Sequence, residues 1–286
     1  INGALPAIKD DTVTWNVTGE YTPNADTLLY ATYARGAKSG GHNIGFGNAV
    51  PAVRGFGAET VDHWELGGKF DFADRRARFA LSLFRSDYRD YQNAGFVGLQ
   101  FLVNNAAKVR VTGAEVEGTF KLAKGLTLNL GGAYIDAKFR SYTGGACYFG
   151  RAPDSNPVNG VFTSCDLSGS SLPLTPKWRL TGAVQYEKST ALGELYVRTD
   201  LNWQDKANVN SASLDPRHVQ KAYAMVNARL GMRMENGVDV SIWATNLFNQ
   251  TVVQQSGVLS LFGTTSGYQN FLAPPRQIGA TVRIGF

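Results

Sequence analysis

The sequence predicts an all-β fold, an antiparallel transmembrane β-barrel region of about eleven strands. Three observations predict it. The segment from Gln277 to Phe286 alternates strictly, with Ile278, Ala280, Val282, Ile284 and Phe286 on one face and Gln277, Gly279, Thr281, Arg283 and Gly285 on the other. That period of two marks a strand with one apolar and one polar side. Short and long connections also alternate along the chain, as they do where a barrel has tight turns at one rim and long loops at the other. Finally, most expected strands run eleven residues or more. Strands of globular domains average about five or six residues, whereas tilted membrane strands need about nine to eleven.

Composition agrees. The 286 residues are 43% hydrophobic, enough for a sizeable core. No run of 18 apolar residues is present, so no membrane helix is expected. A barrel strand needs only every second residue to be apolar, and its average therefore resembles that of a soluble protein. With 12% aromatic residues and 32 glycines, the chain suits twisted strands bearing aromatic belts. The net charge of +5 comes from scattered Lys and Arg, which argues against a nucleic-acid partner. Cys147 and Cys165 lie in one Gly/Ser/Asn/Pro-rich stretch. A disulfide there implies an oxidising compartment and contributes about 3 kcal/mol; two free thiols are the alternative. The sequence opens on Ile1 without a signal-peptide pattern, and it is expected to be a processed or excised piece.

The elements follow in order. A first strand is expected near Thr12–Thr22, where Val13, Trp15, Val17 and Tyr21 share a face, and Pro23-Asn24-Ala25-Asp26 turns the chain. The second spans about Thr27–Lys38 and is followed by a Gly-rich stretch to about Glu59. The third, Thr60–Phe72, alternates Trp64, Leu66, Phe70 and Phe72 with His63, Glu65, Lys69 and Asp71. Ala73-Asp74-Arg75 leads into the fourth, Ala77–Tyr91, and Gln92–Asn104 is expected to be irregular. The fifth and sixth, Ala107–Lys121 and Leu126–Tyr142, flank Lys124-Gly125 and precede the longest loop, Thr143–Leu174. The seventh and eighth, Pro176–Glu187 and Leu192–Asp205, join through Lys188–Ala191; the loop Lys206–Val219 follows. The ninth and tenth, Gln220–Met234 and Val238–Phe248, meet at a hairpin-type Asn236-Gly237. Asn249–Ala273 is the last loop, and the terminal strand starts at Pro274. Eleven is odd, whereas bacterial barrels of this kind have even strand numbers. Open edges in lipid are prohibitive, so an N-terminal portion is expected to be missing.

Several segments carry a family resemblance. Tyr30-Ala31-Thr32-Tyr33-Ala34-Arg35-Gly36-Ala37-Lys38-Ser39-Gly40-Gly41, the Glu59-Thr60 to Glu65-Leu66-Gly67-Gly68-Lys69 segment, and Asn105-Ala106 followed by Gly113-Ala114-Glu115-Val116-Glu117 come in sequence. Thr175-Pro176-Lys177-Trp178, Asn246-Leu247-Phe248-Asn249 and Pro275-Arg276-Gln277 complete the series. Each is weak alone, but their order over nearly the whole chain resembles the C-terminal half of TonB-dependent outer-membrane receptors. The resemblance implies the second half of a roughly 22-stranded barrel, located in the outer membrane of a Gram-negative bacterium, with the plug absent. It implies active uptake of a scarce nutrient, a ferric siderophore or another small organic ligand, rather than enzyme chemistry. Implied partners are outer-membrane lipid, the barrel-assembly machinery, a small-molecule ligand, and TonB through the absent N-terminal region. A passive outer-membrane channel or an adhesin barrel is the alternative.

For sites, alternation marks Glu65, Lys69, Glu115, Glu117, Lys177, Arg179, Arg198, Asp200, Arg229 and Arg233 as lumen-facing, where a solvated polar wall is expected anyway. Ligand candidates are cationic or aromatic residues of the expected outer loops: Arg54, Tyr148, Arg151, Arg217 and Tyr268. Arg and aromatic side chains suit anionic or planar ligands. Haem receptors of the family carry a loop motif that Phe149-Gly150-Arg151-Ala152-Pro153 and Asn156-Pro157 only echo, with an extra Gly and no His. No cofactor is therefore expected, nor a metal site, since His42, His63 and His218 are widely separated. Ile278, Val282, Ile284 and Phe286 are expected to form the assembly signal read during insertion. Deleting Phe286 should reduce outer-membrane assembly of the full-length parent; unchanged insertion, measured by membrane fractionation, would remove that reading.

Overall fold

The computed structural model describes residues 7–43, 55–97, 100–148, 150–158, 162–210, 214–258 and 267–285. Eleven long strands build one antiparallel sheet. They are β1 (Trp15–Asn24), β2 (Thr27–Lys38), β3 (Glu59–Phe72), β4 (Ala77–Val97), β5 (Gln100–Ala123) and β6 (Leu126–Ser141). The other five are β7 (Trp178–Thr190), β8 (Gly193–Gln204), β9 (Tyr223–Arg233), β10 (Val238–Thr245) and β11 (Gln277–Ile284). Each pairs only with its predecessor and successor among the eleven, and β1 and β11 form the two edges. Five short turns lie at one rim. At β3–β4, Ala73, Asp74 and Arg75 all take positive φ, and at β9–β10 Gly237 does so with φ 84°. The other rim carries the loops, reinforced by two-stranded ribbons such as Ala207–Asn208 with Val219–Gln220 and Val253–Val258 with Tyr268–Leu272.

The register keeps one apolar face continuous from strand to strand. Leu66, Leu83, Ala114, Tyr134 and Trp178 are successive cross-strand partners from β3 to β7. Val240 opposes Val282 and Ile242 opposes Ala280 at the far edge. These side chains point away from any core: Leu66, Ile242 and Val282 are each about 60% exposed. An apolar exterior of this extent is the signature of a wall solvated by lipid. Aromatic rings band it at both heights. Towards the loops, Tyr33 stacks on Trp64 at 5.1 Å, Trp15 meets Tyr33 edge-on at 4.4 Å, and Tyr134 lies 4.7 Å from Trp178. Towards the turns, Phe70 sits 6.2 Å from Phe72 and 6.3 Å from Phe79. Such girdles settle at the two membrane–water boundaries.

The opposite face is polar. Tyr30 donates to Glu65 at 2.6 Å, Arg198 binds Asp200 at 2.6 Å and Gln185 at 3.1 Å, and Arg233 bridges Glu187 and Glu194. Four large rings also lie on this face, each directly across the ladder from a glycine: Tyr30 with Gly67, Phe84 with Gly113, Tyr196 with Gly231, and Trp243 with Gly279. A Cβ at any of these glycines would run into the ring that covers it. The ring shields backbone that a glycine leaves bare, while the missing side chain lets the ring lie flat on the wall.

Two sequence expectations are corrected. Gln92–Asn104 is not irregular; β4 and β5 continue as a hairpin, with Tyr91 opposite Ala106 and Val97 opposite Gln100. Above the lipid nothing enforces apolar/polar alternation, so the strand signal fades there. Its polar side chains instead tie the hairpin to the preceding β2–β3 loop: Gln92 Nε2 donates to the carbonyls of Ser39 at 2.8 Å and Gly57 at 3.0 Å. β10 ends at Thr245 rather than Phe248, because Asn246 and Asn249 turn with φ of 49° and 54°. Replacing Gly231 with Val should destabilise the full-length barrel by about 1–3 kcal/mol through overpacking against Tyr196. The temperature of heat-modified gel mobility measures this, and adding Tyr196→Ala should restore most of the loss.

Candidate functional site

The loop side of the wall is held by a small core on its inner face. Val109, Phe139, Tyr142, Cys165 and Leu167 are buried together, with Tyr88, Tyr91, Val111, Leu172 and Leu214 packed on them. The β6–β7 loop thus folds inward over β4–β6 instead of standing off. Backbone hydrogen bonds fasten it: Phe139 N donates to the Ser170 carbonyl at 3.0 Å, and Gly145 and Cys165 exchange a pair at 3.1 and 2.9 Å. Cys147 and Cys165 are joined in a disulfide, Cα–Cα 5.1 Å. Leu214 brings the β8–β9 loop onto the same core.

A buried polar cluster then ties the β8–β9 loop to the β10–β11 loop. Asp215 is fully buried and caps the short 3-10 turn Pro216–His218, accepting from Arg217 N at 2.9 Å. Its carboxylate also takes a bidentate pair from Arg217, Nε at 2.9 Å and Nη2 at 2.7 Å. Burial pushes the Asp215 carboxyl up, but the Arg217 hydrogen bonds outweigh it and hold the group below its ordinary range. His218 is 1% exposed; its Nδ1 lies 2.6 Å from Ser256 Oγ, and its ring meets Tyr268 edge-on at 5.0 Å. Burial lowers its pKa, opposed by the Asp215 charge and helped by that of Arg217.

Two of the five expected ligand residues, Arg217 and Tyr268, meet at this point, with Tyr148 in their electrostatic neighbourhood. The Arg217 guanidinium lies 5.0 Å from the centre of the Tyr268 ring, and Tyr148 of the disulfide loop is near enough to raise the Arg217 pKa. Arg217, with its side chain 45% exposed, and Tyr268 at 39% present a planar cation beside an aromatic face at the loop surface. That pairing receives planar or anionic groups well. Arg151 does not join it; its guanidinium turns back to Asp154 at 2.6 Å and the Asp166 carbonyl at 3.0 Å. Arg54, Phe149 and the terminal Phe286 lie outside the described residues. On the wall, Lys177 precedes β7, and its Nζ is 3.8 Å from Asp136, whose register position faces outward rather than towards the lumen. Among the described residues no group of three His, Cys, Asp or Glu is placed to hold a metal ion.

Sequence reasoning missed Asp215, His218 and Ser256. The signal was present in Asp215-Pro216, a capping carboxylate before a proline at the first helical position. Protonation of His218 needs a charge placed in a buried site. The neutral ring therefore supports the loop junction fully above the ordinary imidazole pKa of about 6.5, and that support is lost as pH falls through the lower folded value. Hydrogen exchange at Val209 and Ser256, corrected for intrinsic rates, should become faster between pH 7.5 and pH 5.5, by about 3-fold or more. A His218→Gln variant should show no such dependence.

Comparison with known proteins now gives the family. Residues 2–247 match the family model described as TonB dependent receptor-like, beta-barrel. The pesticin receptor of Yersinia enterocolitica is 26% identical over 247 residues, covering 85% of this chain and 32% of the receptor. The probable TonB-dependent siderophore receptor PiuA of Acinetobacter baumannii is 24% identical over 249 residues, covering 76% of this chain and 32% of that protein. The chain therefore spans about a third of the length of the curated relatives it matches. The ferric yersiniabactin uptake receptor FyuA from Yersinia pestis superposes with a TM-score of 0.75 at 22% identity, over 97% of this chain and 38% of that structure. The copper transporter OprC superposes with a TM-score of 0.67 at 14% identity, over 96% and 39%. These likenesses are of fold. With the family model spanning most of its length and eleven lipid-faced strands in sequential order, the chain belongs to the TonB-dependent receptor β-barrel family of the Gram-negative outer membrane.

Proposed function

We propose that this chain is the C-terminal part of the barrel of a receptor that actively takes up a scarce nutrient, with a ferric siderophore as the ligand class. It is a transporter component and not an enzyme. The observation that carries this reading is the pairing of Arg217 with Tyr268, from two outer loops, above a polar lumen. Ferric siderophore complexes often expose planar phenolate or catecholate rings, which an arginine plane beside a tyrosine ring can stack on. The names of PiuA and FyuA as siderophore and ferric yersiniabactin receptors support the same ligand class. TonB would act through a segment outside this chain. The edges β1 and β11 would pair with further strands of the same barrel, and the assembly machinery would engage the alternating terminal strand.

The test is uptake of radiolabelled iron by the full-length parent, in an iron-starved host stripped of its own siderophore receptors. A panel of ferric catecholates and phenolates should include at least one transported only when TonB is present. Transport that persists without TonB would favour a passive channel, and no transport across the panel would remove the siderophore reading. Arg217→Lys keeps the charge for Asp215 but loses the planar fork, and should weaken binding of the transported complex about tenfold, or ~1.4 kcal/mol. Binding unchanged in that variant would place recognition elsewhere in the mouth.

A further inference from the structure

The polar cluster behind Arg217 holds one group that ligand recognition does not yet use. Among the described residues, His218 Nε2 is buried and has no hydrogen-bond partner. It sits 4.0 Å from Asp215 Oδ2, and the two side chains are 0% and 1% exposed. The same carboxylate oxygen accepts from Arg217 Nη2 at 2.7 Å and from its Nε at 3.0 Å. Asp215 therefore stands between two basic groups: a guanidinium that reaches solvent and an imidazole that does not. His218 Nδ1 lies 2.6 Å from Ser256 Oγ. The tautomer this network assigns carries its hydrogen on Nδ1, donated to Ser256, and leaves Nε2 bare. A bare ring nitrogen and a carboxylate oxygen are both acceptors, and at 4.0 Å they keep apart instead of bonding.

Charge decides which partner Asp215 keeps. While the guanidinium is docked, a proton on Nε2 is opposed by burial and by the positive Arg217 nearby. Among the described residues, the charged groups facing the ring are Asp215 and Arg217 of its own turn. The β10–β11 loop presents to it the Ser256 hydroxyl and the edge-on Tyr268 ring. Once an anionic oxygen on a ligand draws the guanidinium outward, Asp215 is left as a lone buried charge, which is strongly disfavoured. A proton taken from solvent at Nε2 removes that cost. The imidazolium then donates through Nδ1 to Ser256 and through Nε2 to Asp215, after a shift of about 1 Å. We propose that His218 replaces Arg217 on Asp215 when a ligand takes Arg217, so that binding at the mouth takes up a proton. The inference rests on the reading of Arg217 as a ligand contact. Since the bound state holds the proton more tightly than the free state, binding strengthens as pH falls from above neutrality towards the free-state value.

The first test needs no ligand. Histidine labelled at Cε1 is introduced into the full-length receptor in nanodiscs, and the His218 resonance, identified by its loss in His218→Gln, is titrated. Arg217→Ala imitates the withdrawn guanidinium and should raise the His218 pKa by about one unit or more. Loss of a nearby positive charge does this by itself to a small extent, so the decisive comparison adds Asp215→Asn. With no carboxylate to inherit, the rise on removing Arg217 should shrink to less than about a third. Should Arg217→Ala assemble poorly, Arg217→Gln should shift the titration in the same direction. The second test is calorimetry with a hexadentate ferric tris-catecholate, whose charge is constant near neutral pH, in two buffers of different ionisation heat. Binding should take up at least about 0.3 proton at pH 7 in the wild type and none in His218→Gln. A probe that does not bind counts against the siderophore reading, and the titration still judges the exchange of partners. An unmoved His218 titration in folded Arg217 variants, a rise of equal size with Asp215→Asn, or binding without proton uptake would each overturn the proposal.

Discussion

Everything in this chain rests on a backbone that cannot leave a hydrogen bond unmade. In hydrocarbon an unsatisfied N–H or C=O costs several kcal/mol, so spanning strands must be long, regular and paired in unbroken succession. The eleven strands meet that requirement by the simplest route, each pairing with its neighbours in the chain. Once the ladder is fixed, side-chain parity follows, and with it the division into a lipid face and a polar face. The aromatic bands and the glycine-backed rings are both choices made within that parity.

Above the lipid the constraint is different. Water can solvate a stray peptide group there, and the loops must find their own reasons to be ordered. They find two. A small apolar core around Phe139 and the Cys147–Cys165 bridge pulls the longest loop inward. The buried Asp215, His218 and Ser256 then join the next two loops by charge-assisted and neutral hydrogen bonds. Buried polar groups are costly unless satisfied, so such a cluster specifies one arrangement of loops over others. Arg217 and Tyr268 owe their adjacency to it.

This difference in constraint also sets what could be read in advance. The strands in lipid were legible because a solvent boundary on each face writes a period of two into the sequence; β2 was bounded to the residue. The continuation of β4 and β5 past Tyr91 was not legible, since Gln92, Asn104 and Asn105 look like turn residues and serve as tethers between loops. At the site, residue type picked out Tyr148, Arg217 and Tyr268, but no local pattern could show that loops separated by a strand or more would meet. Arg151 had the same residue-type signal, but its guanidinium stays within its own loop, on Asp154 and the Asp166 carbonyl. Asp215 and His218 were hidden because their role depends on burial by a partner loop.

The junction at His218 has a mechanical consequence. Val209 accepts from Ser256 N while its own N–H donates to His218, and Val253 N donates to Gln220 Oε1. The loops after β8 and β10 are therefore one panel, hinged on four strands instead of two. Any displacement of the Arg217 turn is therefore shared with the strands Val253–Val258 and Tyr268–Leu272. Tyr268 is thereby bound to follow Arg217 instead of moving on its own, so the two faces of the junction keep their spacing whenever either loop shifts.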